Sequence, residues 1–143
     1  VTKFSSIPEA SITSHTDGDE VSEGYAVELR AALTDANHRT AELEAAWRVG
    51  ETEACPYLPP DAEGVSSCTA VIGLEDTEVT VEVRDPENAA STASVTLAVV
   101  LTEAPAAAIA SPASDGVYYS DQKITFEGTV SDAEDAPDEV ALA

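Results

Sequence analysis

The chain has 143 residues and sets 6 basic side chains against 28 acidic ones, a formal net charge of −22. That charge repels nucleic acid and anionic membranes, and no apolar run is long enough to span a bilayer, so neither nucleic-acid binding nor membrane insertion of this segment is expected. Few aromatics and high acidity also suit a disordered chain, but the regular alternation of Val, Ile, Leu and Thr argues for strands instead.

In chain order, residues 1–7 read as the end of a preceding unit or a linker. Residues 9–14 form a short edge-type strand entered from Pro8, a place where proline is tolerated. Asp17-Gly-Asp-Glu20 is a turn signal. Residues 25–34 alternate with Val27, Leu29, Ala31 and Leu33 on the inner face. Residues 39–49 have high helix propensity, yet with period two they place Leu43, Ala45, Trp47 and Val49 on one face. The β surroundings decide for a strand over 41–49, because tertiary context overrides propensity. Trp47 is a core residue whose burial contributes about 3 kcal/mol or more.

Residues 50–65 read as loop, and 66–73 as a strand. Cys55 and Cys68 bracket this turn-rich stretch. They form either a local disulfide, contributing about 3 kcal/mol in the chain-entropy model, or two free thiols in a reducing compartment. Two cysteines without nearby histidines make a poor structural zinc site, which wants four ligands. Residues 77–84 follow with Val79, Val81 and Val83 inward, then the turn Asp85-Pro-Glu-Asn-Ala-Ala90, then a strand over 91–101 with Val95, Leu97 and Val99 inward. Strands over 107–111 and 123–131 come last, the second with Ile124, Phe126 and Val130 on its inner face.

A shift of 97 positions lays the two ends of the chain over one another without a gap, carrying Pro8-Glu-Ala-Ser-Ile-Thr-Ser14 onto Pro105-Ala-Ala-Ala-Ile-Ala-Ser111. Leu33-Thr-Asp-Ala36 falls on Val130-Ser-Asp-Ala133 under the same shift. Internal repetition of this kind marks a modular array. The expected organisation is a complete domain over 8–101, a linker over 102–105, and over 106–143 the first part of a second copy. The fold class expected is all-β: a sandwich of about seven strands with immunoglobulin (Ig)-like patterning, followed by that incomplete repeat. Residues 106–143 offer too few strands to close a layered core. Either further chain or a neighbouring subunit must then supply the rest, the second route being head-to-tail strand complementation.

The stretch Pro-x-Ala-x-Ile-x-Ser, an Asp-Gly, and a strand ending Gly128-Thr-Val-Ser-Asp-Ala-Glu-Asp135 resembles the tandem Ig-like repeats of bacterial and archaeal surface proteins, near the PKD and cadherin-like groups. Val83-Arg-Asp-Pro-Glu-Asn88 is similar to the hairpin that closes those repeats. The resemblance implies an extracellular or cell-surface stalk, spacer, fibre or adhesin whose partners are neighbouring repeats or identical subunits. The run after Trp47, Arg48-Val-Gly-Glu51, departs from the PKD pattern. The Asp-x-Asn-Asp-Asn linker of cadherins is missing, and the cysteine pair joins the ends of one local loop rather than two sheets.

Calcium takes six to eight hard oxygen ligands. The acidic run with Asp132, Glu134, Asp135 and Asp138 offers such oxygens, as do Asp17 and Asp19, and after them Asp85, Glu87 and Asn88; a solvated connecting loop is the other reading of each. His15 and His38 fall on Pro112 and Asp135 under the repeat shift, so the array does not retain them. No nucleophile elbow, zinc-helix motif or phosphate loop occurs. The expectation is therefore a non-catalytic structural segment that needs no cofactor. A calcium-dependent adhesin or carbohydrate-binding accessory module, using Tyr118-Tyr119, is the alternative.

Overall fold

The computed structural model describes residues 6–133, 135, 136 and 138–140. It divides into two compact units, Val1–Leu101 and Thr102–Ala143.

The first unit is built of strands β1 (Glu9–Ile12), β2 (Glu20–Ser22), β3 (Ala26–Thr34), β4 (Glu44–Val49), β5 (Thr52–Leu58), β6 (Val65–Val71), β7 (Glu78–Arg84), β8 (Ala90–Thr96) and β9 (Ala98–Val100), with one 3₁₀ turn at Thr40–Glu42. One sheet has the order β1-β3-β6 and the other β5-β4-β7-β8, while β2 pairs with β9 in a parallel ladder. Both main sheets are antiparallel. Two such sheets closing on one apolar core make an Ig-like β-sandwich.

The period-two pattern places the core. Leu29, Ala31 and Leu33 from β3 meet Ala45, Trp47 and Val49 from β4, Val79, Val81 and Val83 from β7, and Val95 from β8. Val27 is only partly buried at the margin of this cluster. Trp47 is fully buried, and its indole N–H donates to Ser66 Oγ on the opposite sheet at 2.9 Å, meeting the need of a buried donor for a partner.

The two sides of the sandwich are sealed differently. On one side the chain leaves the first sheet after β1 and runs beside β9. Asp17 Oδ1 accepts the Thr96 N–H at 2.8 Å, and Gly18 N–H donates to the Thr96 carbonyl at 2.8 Å. On the other side β5 and β6 are the edge strands of opposite sheets, and the Cys55–Cys68 disulfide ties them. The bridge therefore joins the two sheets at their open edge, which corrects the expectation of a merely local loop closure.

Besides the short strand β2, which the sequence pattern does not announce, three elements of the first unit differ from the sequence expectation. The stretch 50–65 contains β5, which follows β4 through a two-residue turn with Val49 facing Thr52. Gly50 takes φ +58 there, a left-handed conformation that favours glycine, and a Cβ would crowd the Asp76 side chain at 2.5 Å. Pro56 is compatible with this strand because β5 lies at a sheet edge, where a missing N–H leaves no ladder bond unmade. Second, the helix propensity of 39–49 is expressed only as the 3₁₀ turn, where Glu42 accepts the Arg39 N–H at 2.8 Å; the strand starts at Glu44. Third, the single strand expected over 91–101 breaks at buried Leu97, whose N–H turns to the Thr77 carbonyl at 2.9 Å.

In the second unit β10 (Ala106–Ser111) pairs antiparallel with β11 (Glu127–Ser131). The register repeats that of β1 and β3. Glu9, Ala10, Ser11 and Ile12 face Thr34, Leu33, Ala32 and Ala31, and their counterparts 97 positions on, Ala106, Ala107, Ala108 and Ile109, face Ser131, Val130, Thr129 and Gly128. The strand expected over 123–131 begins only at Glu127. Ile124 is partly buried, and Phe126 is 75% exposed, against 0% for its counterpart Leu29. The core placement expected for these two residues is thus corrected: among the described residues the second unit holds two strands, with no second sheet to cover them.

Candidate functional site

The cluster with most chemistry lies where the β3–β4 connection, the β7–β8 hairpin and the N-terminal approach at Ser6 meet. Asp85 organises the hairpin. Its Oδ1 accepts the N–H groups of Glu87 and Ala89 at 2.8 and 2.9 Å, and its backbone carbonyl accepts the Asn88 N–H at 3.1 Å. Asn88 has φ 68, a left-handed conformation that asparagine tolerates better than most residues.

Asp35 does the same for the β3–β4 connection. Its Oδ1 accepts the Asn37 N–H at 3.0 Å and the Ser6 hydroxyl, and Asn37 Oδ1 accepts the Ser6 N–H at 2.9 Å. The other oxygens of both carboxylates face one imidazole. His38 Nδ1 lies 3.2 Å from Asp35 Oδ2 and 3.9 Å from Asp85 Oδ2; both carboxylates are inaccessible and the imidazole is 14% exposed.

The environment shifts these groups in opposite directions. Burial acts to raise the Asp35 carboxyl, but the bonds from the Asn37 N–H, the Ser6 hydroxyl and His38 outweigh it and hold the group below the usual aspartate range. The Asp35 hydrogen bond raises His38, burial opposes this, and the charges of Asp35, Asp85 and Glu87 carry it above the ordinary histidine value. Among the described residues these are three potential ligand side chains whose donor atoms all lie within 4.8 Å of one another. His38 is hydrogen-bonded to Asp35 alone, and the second carboxylate, Asp85, stands 3.9 Å from the same nitrogen.

Of the expected calcium residues only Asp85 belongs to this cluster; among the described residues the others form no group of three potential ligands. Asp17 binds the Thr96 N–H. Asp19 accepts the Thr16 N–H at 2.9 Å and the Thr16 hydroxyl at 3.1 Å; these bonds, aided by the charge of His15 against a smaller effect of burial, lower its carboxyl. Asp132 Oδ1 accepts the Asp135 N–H at 3.3 Å, Asp138 is exposed, and Glu134 lies outside the described residues. Tyr118 and Tyr119 are not on a strand: the Tyr118 hydroxyl donates to the Ala113 carbonyl at 3.2 Å and Tyr119 is exposed. An open groove of about 350 Å³ at the β5–β6 edge, lined by Val49, Thr52, Ala54, Val71 and Asp76 among others, offers a single titratable side chain.

The repeat pattern does not point to the triad, since Asp135 stands at the position equivalent to His38. The signals were the Asp35-x-x-His38 spacing and the turn aspartate Asp85, which are distant in sequence and adjacent only in the fold.

No protein-family model and no curated protein matches this chain. Among solved structures it is similar to the twitchin kinase region from C. elegans, at 17% identity and a TM-score of 0.45, over 64% of this chain and 16% of that one. It is also similar to a complex of titin M10 with an obscurin-like 1 Ig domain, at 12% identity and a TM-score of 0.46, over 69% and 99%. A third is the set of fibronectin(III)-like modules of Clostridium thermocellum CbhA, at 16% identity and a TM-score of 0.46, over 88% and 64%. The fold assignment rests on the strand order and register of the chain itself.

Proposed function

We propose that the chain is a non-catalytic structural segment of an extracellular array of Ig-like repeats, working as a stalk, spacer or fibre. The observation that carries this reading is the strand register, repeated residue for residue at the shift of 97 positions. Residues 8–101 are the complete repeat, 102–105 a linker, and 106–143 the opening of a second copy. The inter-sheet disulfide supports an oxidising compartment, and among the described residues no helix is long and apolar enough to cross a membrane.

Among the described residues no second sheet covers β10 and β11 as one covers Leu29 in the first copy, and the counterpart Phe126 lies open. More of the same polypeptide, or strands of an identical subunit, would fill this place; an exposed apolar sheet invites such pairing. The test is a chimera in which residues 47–101 of the first unit are appended after residue 143, the position equivalent to residue 46. If the second unit is a copy of the fold, the appended strands close over β10 and β11, strand content rises by about half, and Phe126 becomes protected. An unfolded appendage would refute the repeat reading. Concentration-dependent oligomers of the parent chain, abolished by Phe126→Ser, would select completion by a neighbour.

A further inference from the structure

We propose that the open edge of β6 is a docking site for an extended, basic segment of a partner polypeptide, which adds to the β1-β3-β6 sheet as a fourth strand and fills the space over β5. The site lies wholly within the first unit and does not depend on whether the chain belongs to an array.

The phase of the β3–β6 ladder decides which backbone groups are on offer. Leu33 N–H donates to the Gly64 carbonyl at 2.9 Å. Antiparallel partners alternate between exchanging two bonds and exchanging none. The register runs unbroken from Ala32 facing Val65 to Ala26 facing Val71, so Ser66, Cys68 and Ala70 bond to β3. The N–H and carbonyl groups of Val65, Ser67, Thr69 and Val71 therefore point the other way. Asp61 engages Val65 there: its N–H donates to the Val65 carbonyl and its Oδ1 accepts the Val65 N–H, both at 2.9 Å. Past Val65, no strand among the described residues pairs with this side of β6.

The neighbouring edges are guarded in the usual ways, by proline, charge, irregular pairing or a cover. β5 carries Glu53, Pro56 and two register shifts against β4. β1, entered from Pro8, is tied to β8 by a bond from the Ser91 hydroxyl to the Pro8 carbonyl. β6 has seven residues without a charge, a proline or a bulge.

Its sheet is also one strand short of the four-stranded sheet it packs on. The shortfall leaves two grooves between β5 and β6, one of about 350 Å³ walled by Ala54, Ala70 and Val71, the other of about 310 Å³ walled by Leu58, Pro59 and Ser66. Side chains of a strand added beside β6 alternate between its two faces. Those opposite Ser66 and Ala70 would enter the two grooves, and the one between them, opposite Cys68, would lie over the disulfide. The matching segment reads apolar-x-small-x-apolar. Charge sets its flanks: Asp61 and Glu63 precede β6, and Glu75 and Asp76 follow it, all exposed, so basic residues at both ends complement them. The β6 edge of a second copy fits poorly, because antiparallel pairing would bring its own acids against these, and its Ser66 and Ala70 are too small to fill the grooves.

The probe is the peptide Lys-Lys-Thr-Val-Thr-Ala-Thr-Val-Thr-Lys-Lys, added to the full 143-residue chain and followed by NMR amide exchange. The amides of Ser67, Thr69 and Val71 should gain at least about tenfold in protection, while those of Ser66, Cys68 and Ala70, already bonded to β3, change little. The same peptide with proline for its central alanine, or with glutamate for its lysines, should protect none of the three. Failure of the lysine peptide to protect them overturns the docking site, and so does equal protection by either control peptide. Protection that grows with protein concentration in the absence of peptide overturns it too, since the occupant would then be a second copy.

Discussion

Trp47 of β4 and Ser66 of β6 form a buried hydrogen bond across the sandwich, indole N–H to Oγ at 2.9 Å. Trp47 also stands opposite Cys55 in the β4–β5 ladder. The largest side chain of the core is thus held from both sheets, beside the bridge that joins them.

Removing the acceptor should cost more than removing surface atoms. Ser66→Ala leaves the indole N–H buried and unpaired, an expected loss of about 1–3 kcal/mol. Trp47→Ala removes the ring as well and should cost about 3–5 kcal/mol. Urea unfolding checks both. The fluorescence of the single tryptophan reports on Ser66→Ala, and circular dichroism follows Trp47→Ala.

The disulfide spans a sequence separation of 13. A loop of that size restrains the unfolded chain by about 3 kcal/mol in the entropy model. Reduction, or the pair Cys55→Ala and Cys68→Ala, should lower the stability of the first unit by about that amount, read as a fall in the urea midpoint. The strands should remain, because the ladder of β4 with β7 contains neither of the two cysteines, and that of β3 with β6, in which Cys68 faces Leu29, is held by backbone pairing that either substitution keeps.

Much of this architecture was legible because alternation of Val79, Val81 and Val83, or of Leu29, Ala31 and Leu33, has one physical meaning: a strand with one buried face. Even the helix-prone stretch at Trp47 yielded to that logic. β5 was hidden because Pro56 and the Pro59-Pro60 pair read as turn signals, and nothing local shows that a strand will lie at an edge where proline is harmless. Phe126 was misplaced because alternation says which face a side chain takes, not whether anything covers that face. The bridge between sheets and the His38 triad were hidden for one shared reason. Both depend on which distant strands or loops become neighbours, and only the topology decides that.

Asp85 should matter through its turn. Asp85→Ala strips the Glu87 and Ala89 N–H groups of their acceptor and should cost about 1–3 kcal/mol. Asp85→Asn keeps an oxygen at that position and should cost less. Backbone amide exchange at Glu87 and Ala89 checks this: both should lose protection in the alanine variant and keep most of it in the asparagine variant.

Calcium at millimolar concentration should leave the melting temperature of the chain unchanged, because Asp17, Asp19 and Asp132 are engaged with backbone N–H groups rather than gathered around a common point. A ligand that binds the folded state raises the midpoint, so an EDTA-reversible rise would refute this. In the same buffer without calcium, Asp17→Ala should still lose about 1 kcal/mol, the contribution of its bond to the Thr96 N–H.

Leu29 and Phe126 hold equivalent repeat positions with opposite surroundings, 0% and 75% exposed. Leu29→Ala opens a cavity between two sheets and should cost about 2–5 kcal/mol. Phe126→Ala removes a ring that already faces water and should change stability by no more than about 0.5 kcal/mol. Urea unfolding of the two variants tests the contrast. The same pair measured in the chimera with appended strands should converge, since covering β11 turns Phe126 into a core residue. Should Phe126→Ala prove as costly as Leu29→Ala in the parent chain, the second unit must already be covered in solution, and a cost that grows with protein concentration would identify the cover as another copy of this chain.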